Sequence, residues 1–196
     1  MSDKAINPSV KKPSFEDYLT TERPGASRDA GRSVSNRWHN LLVSNTAIAL
    51  GSRMHGHKAE IYISNMRVKL KNGNISYPDV VLVNGEPQFA DANADLLLNP
   101  TVVFEIIPRN TNSSDKAQML ESFLAMDSIK ECVMLKEDEM RAEHYARQNA
   151  KQWIYRIYNE RDDVVGLESV QTKISLSEIY AQIKFQGAAI SSGAVN

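Results

Sequence analysis

Residues 77–107 read YPDVVLVNGEPQFADANADLLLNPTVVFEII, and NTNSSDKAQML follows at 110–120. Two runs of aliphatic and β-branched residues are each marked by one carboxylate: Asp79 opens the first, and Glu105 sits late in the second. A lone carboxylate taken out of water costs several kcal/mol unless it is paired, hydrogen-bonded or bound to a metal. One reading is structural, with Asp79 capping the turn after Pro78 and Glu105 pairing with a basic residue on a neighbouring strand. The other is a divalent cation held between paired strands. In that reading Asp79 and Glu105 present oxygens to one Mg²⁺, and the backbone carbonyl of Ile106 is an additional hard ligand. Such a cation activates a water and offsets charge developing on a phosphodiester. Lys116, at the start of the following helix, orients that water or stabilises the phosphorane.

The flanking sequence gives these runs their partners. Val102 to Ile107 is apolar except for Glu105, as expected of a central strand buried on both faces. Asn112 to Asp115 offers N-caps for a helix through Met126, with Met119, Leu120, Phe123 and Met126 on one face. Cys132 to Leu135 is then a strand parallel to Val102–Ile107, because a crossover helix lies between them. Upstream, Asn36 to Arg53 carries helical spacing at Leu41, Leu42, Asn45, Ile48, Ala49 and Ser52. Glu60 to Leu70 and Ser76 to Val83 read as one β-hairpin around Lys71-Asn72-Gly73-Asn74. Gly85 to Asn99 reads as a loop containing Asp91 and Asp95. Ala142 to Arg147 and Gln152 to Tyr158 form a second hairpin of edge strands, and Ser175 to Tyr180 a capped helical turn. Ser14 to Leu19 is a short helix before these. The sum is an α/β (α+β) sandwich: a mixed central sheet of five to seven strands flanked by two or three helices.

At 196 residues the chain holds one domain, placed at 14–185, with a polar, proline-containing leader at 1–13 and a Gly/Ala/Ser tail at 186–196. No run of about 18 apolar residues exists, the polar start lacks the apolar core of a secretory signal, and Cys132 is the single cysteine, which together point to the cytoplasm. The net charge of −1 neither favours nor excludes nucleic acid, since phosphate binding follows a local basic face. Arg23 to Lys71 is such a basic stretch, with nine Lys or Arg against Asp29 and Glu60. His55 and His57, in a glycine-containing loop without neighbouring Cys or carboxylate, read as surface residues.

The ordered series Tyr77-Pro78-Asp79-Val80, Asn99 to Ile107, Asn110-Thr111, Asp115 and Asp127 to Glu131 resembles the Uma family of restriction endonucleases, within the PD-(D/E)XK nuclease superfamily. The resemblance continues through Ala142–Tyr145, Gln152–Tyr158 and Leu176–Tyr180, begins at Ser14–Leu19, and includes His39-Asn40 at the opening of the second helix. It implies a restriction-endonuclease-like core with an extra β-hairpin, Asp79 and Glu105 as metal-binding carboxylates, Mg²⁺ or Mn²⁺ as cofactor, and DNA as the substrate hydrolysed. Small nucleases of this kind commonly cut both strands as homodimers. Three positions depart from the pattern. Arg32 stands where an N-terminal glutamate is expected, Ile107 where the superfamily has a lysine, and Met119 where the family moves that lysine. Lys116 lies one turn earlier on a similar helical face. These departures motivate the alternative, a catalytically degenerate protein that binds DNA or a protein partner without cleavage.

Overall fold

The computed structural model describes residues 36–90 and 92–185. The leader, the Ser14–Leu19 helix, Arg32, Asp91 and the tail lie outside them. The frame is a six-stranded sheet in the order β1 (Ala59–Ile63), β4 (Val80–Asn84), β6 (Val102–Ile107), β7 (Glu131–Lys136), β8 (Ala142–Asn149) and β9 (Gln152–Tyr158). Only β6 and β7 pair in parallel within it, and every other neighbour is antiparallel. The helix between them, α2 (Ser113–Leu124), makes the crossover.

Alternation along the strands sends side chains to two cores. One face of the sheet, with Val80, Leu82, Phe104, Ile106, Val133 and Leu135, packs under α1 (Arg37–Met54). The other, with Val81, Val83, Val103, Ile107, Cys132 and Met134, packs under α2 through buried Phe123. All six residues of β6 are buried, as its apolar run requires.

Helix α1 starts where Asn36 accepts the N–H groups of Trp38 and His39, so a side chain satisfies donors that the first turn leaves open. Its buried stripe is His39, Leu42, Val43, Thr46, Ala49, Leu50 and Met54. That face is rotated from the one expected from spacing, and Ile48 is 70% exposed. Two apolar stripes run along this segment, and the sheet chose the one containing Val43 and Leu50.

The single hairpin expected between residues 60 and 83 is two structures. Ser64 takes a left-handed conformation (φ 56°) and Asn65 donates back to the Ile63 carbonyl, which ends the pleat there. Residues before the break join the main sheet against β4. Those after it, β2 (Arg67–Lys69), pair with β3 (Ile75–Ser76) and, in parallel, with β5 (Leu96–Leu97). The segment expected to be loop at 85–99 therefore supplies a short strand. β8 is paired on both sides, so only β9 of the second hairpin is an edge.

A two-stranded piece was not legible in advance: β10 (Val164–Leu167) and β11 (Thr172–Ser175), joined by a 3₁₀ turn at Glu168–Val170. Glu131 of β7 fastens it to the sheet. One of its oxygens accepts the N–H and hydroxyl of Ser169, at 2.8 and 2.6 Å, and the other lies 2.6 Å from His144 Nε2. Burial alone would raise the Glu131 pKa. The donors from His144 and Ser169 outweigh it and hold the group below its ordinary value. The short helix α3 (Leu176–Ile179) follows, closed by a reciprocal capping box between Ser175 and Glu178. No helix among the described residues is long and apolar enough to cross a membrane.

Candidate active site

Asp79 immediately precedes β4, at the end of the sheet where β6 runs out. Its carboxylate is fixed from two sides: Oδ2 accepts the Ile106 N–H at 2.8 Å, and Oδ1 lies 2.8 Å from His39 Nε2. The Ile106 contact follows from the register. Val80 pairs with Phe104, and continuing that antiparallel ladder by two residues places Pro78 opposite Ile106. The paired ladder stops at Val80–Phe104, and beyond it the Ile106 N–H is taken by the Asp79 side chain, while Pro78 has no N–H to offer the Ile106 carbonyl. A residue's N–H and C=O project to the same side of a strand. The Ile106 carbonyl therefore faces the Asp79 side too, with no donor available from Pro78.

Glu105, one residue earlier, points to the α2 face. It is buried and hydrogen-bonded to Asp79, and its pKa is raised well above the ordinary value, first by burial and then by the charge and hydrogen bond of Asp79. Two carboxylates pressed together out of water hold a proton between them unless a cation relieves the repulsion. His39 is buried as well, which alone would lower its pKa. Its bond to Asp79, the charge of Asp79 and that of Glu137 prevail, leaving the imidazole above its ordinary value.

The sequence-predicted residues thus fall into two groups. Asp79, Glu105 and the Ile106 backbone converge. Lys116, in the first turn of α2, instead places its ammonium 2.7 Å from Glu143 Oε2 on β8. Glu143 shares the sheet face with Glu105, because the pairings Glu105–Met134 and Met134–Glu143 put the three in one row. Glu143 also receives Arg141 Nε at 3.2 Å and the Tyr145 hydroxyl at 3.2 Å. Burial opposes ionisation of Glu143, and Lys116 and then Arg141 overcome it, so its pKa is lowered. Met119 is half-buried in the α2 core and offers no cation.

Two contributors escaped the sequence reading. His39 and Glu143 both lie in segments that carry the family resemblance, His39-Asn40 and Ala142–Tyr145, but neither is assigned a role there, although Glu143 carries the same signal as Glu105, a carboxylate within a strand. Among the described residues no group of three or more His, Cys, Asp or Glu is gathered to hold a metal. The donors that converge are two carboxylates, with the Ile106 carbonyl directed to the same side by strand geometry. All are hard oxygens, the set suited to Mg²⁺ or Mn²⁺ with waters completing the shell.

Residues 31–178 match the family Uma2, described as "Putative restriction endonuclease". The chain belongs to the Uma2 family. The uncharacterized protein sll1609 of Synechocystis is 27% identical over 126 residues, which is 64% of this chain and 70% of that protein. Among solved structures, one titled a putative nuclease belonging to DUF820, from Anabaena variabilis, aligns with a TM-score of 0.63 at 15% identity, covering 76% of this chain and 83% of that one. This second likeness is one of fold. It agrees with the mixed sheet and flanking helices expected of the Uma2 chain, and the Asp79–Glu105 pair lies within residues 31–178 of the family match.

Proposed function

We propose that this Uma2 chain is a divalent-metal-dependent DNA endonuclease that hydrolyses phosphodiester bonds. The observation carrying this reading is the buried contact between Asp79 and Glu105, with Asp79 fixed on the Ile106 N–H. Asp79, Glu105 and the Ile106 carbonyl would hold Mg²⁺ or Mn²⁺. The chemistry that a bound cation supplies is an activated water and charge neutralisation at the phosphate.

The chain's own residues do the rest. His39 and the Ile106 N–H lock the Asp79 carboxylate, so its orientation is set before any ligand arrives. Burial of Glu105 keeps its carboxyl pressed against Asp79, a pair whose repulsion a cation would relieve. Lys116, the candidate for the missing lysine of the motif, is engaged by Glu143 on β8 and would meet the substrate backbone beside the carboxylate pair. Cutting both strands of a duplex calls for two such centres, which a homodimer would supply, acting on cytoplasmic DNA.

The test is supercoiled plasmid incubated with Mg²⁺ or Mn²⁺. Nicking or linearisation that stops with a chelator and with Glu105→Ala is the expected result, and cleavage persisting in Glu105→Ala refutes the assignment. A second reading is favoured by the engagement of Lys116 with Glu143: a degenerate member that binds DNA without cutting. A salt-sensitive gel shift with no cleavage under either metal selects it.

A further inference from the structure

The Lys116–Glu143–Arg141 cluster is not used by the metal-binding pair, and its construction is unusual for an ion pair that only stabilises a fold. One carboxylate, nearly buried, holds two cations on its two oxygens: Lys116 from α2 on Oε2 and Arg141, just before β8, on Oε1. The Tyr145 hydroxyl adds a third donor on Oε2, and Arg141 is further bonded to the Tyr155 hydroxyl. The anion is enclosed while the cations are open to solvent, with side-chain exposures of 24% for Lys116 and 30% for Arg141 against 7% for Glu143. Two positive charges share one negative charge, so the outward face of the cluster is net cationic.

We propose that Lys116 and Arg141, held side by side by Glu143, form a clamp for a backbone phosphate of nucleic acid within about three nucleotides of the one cleaved. This deepens the nuclease reading and rests on it for the position of the cleaved phosphate. Glu105 and Glu143 stand two strand spacings apart across Met134, about 10 Å. A nucleic-acid strand advances about 3.4 Å per nucleotide along its axis, so that offset reaches a phosphate within about three nucleotides of the carboxylate pair. Arg and Lys on a shared anchor suit a phosphate because one supplies a planar fork of donors and the other a compact charge. The side chains are also ordered before binding, which reduces the entropy lost on contact.

The experiment measures affinity of the full chain for a short duplex by fluorescence anisotropy, in chelator so that no cleavage occurs, between about 50 and 200 mM salt. Lys116→Gln and Arg141→Gln are each expected to lower the slope of log affinity against log salt by about 1, the loss of one phosphate contact. Lys173→Gln, at an exposed cation on β11, is expected to leave it unchanged. Circular dichroism confirms that each variant is folded. An unchanged slope in both variants, a change in only one, or no binding by the unmodified chain overturns the clamp. Slope changes without metal-dependent cutting leave the clamp standing and refute hydrolysis. Cutting with unchanged slopes does the reverse.

Discussion

His39 Nε2 sits 2.8 Å from Asp79 Oδ1, joining the first turn of α1 to the mouth of the carboxylate site. The folded imidazole holds its proton more tightly than the unfolded one, whose reference value is 6.5. The stability this gives is complete below 6.5 and is lost as pH rises through the raised folded value. His39→Ala should therefore cost about 1–2 kcal/mol at acidic pH and less in alkaline solution. Urea titrations of both proteins at several pH values measure it. An equal cost at every pH would mean that the ring contributes packing and no charge.

Glu105→Gln should separate stability from activity. The folded pKa of Glu105 is raised, so its favourable contribution exists at acidic pH and is lost as pH rises and the second charge develops beside Asp79. The amide cannot ionise. In metal-free buffer the variant should melt at or above the unmodified protein, with the gap widening as pH increases, while plasmid cleavage disappears. Differential scanning calorimetry and the nicking assay read the two halves, and a variant markedly less stable at alkaline pH contradicts the repulsion.

The opposite sign is expected at Glu131. Its pKa is lowered from 4.5, so its contribution is present above that value and is lost as pH falls through the folded one. Glu131→Gln should flatten the acid limb of the stability curve. Ser169→Ala, which removes one hydroxyl bond to the same carboxylate, should cost about 1 kcal/mol near neutrality. Chemical denaturation of the three proteins between neutral and acid pH decides this.

Arg147 closes the end of α2 as well as sitting in β8. Its Nη2 donates to the carbonyls of Leu124 and Met126, its Nε to that of Ile129, and its guanidinium lies 4.2 Å from the Trp153 ring centroid. One ammonium cannot reproduce that fork. Arg147→Lys should thus lose about 1–3 kcal/mol, close to the loss in Arg147→Ala. Full recovery by lysine would show that charge alone matters there.

Much of this arrangement was legible where local pattern and tertiary demand agree. β6 announced itself as a continuous apolar run, the caps of α2 preceded it in sequence, and the parallel β6–β7 pairing followed from the crossover. What escaped depended on events outside the local window. The left-handed turn at Ser64 divided one apparent hairpin between two sheets, and residues 96–97 became a strand only because β2 was there to pair with them. At the site, Asp79 and Glu105 were visible as carboxylates in apolar strands. The partner of Lys116 was not, since Glu143 is 27 residues away in sequence and meets it only through the order of β6, β7 and β8.

The end of the β4–β6 ladder at Val80–Phe104 also leaves the protein with a built-in reporter. Most strand amides exchange with solvent only when the sheet opens, whereas the Ile106 amide is secured by a side chain. Its exchange rate and nuclear resonance frequency should follow whatever Asp79 is doing, through protonation, cation binding or contact with a phosphate, while its neighbours in β6 remain silent. A single backbone nitrogen can thus register occupancy of the carboxylate site before any bond in a substrate is broken.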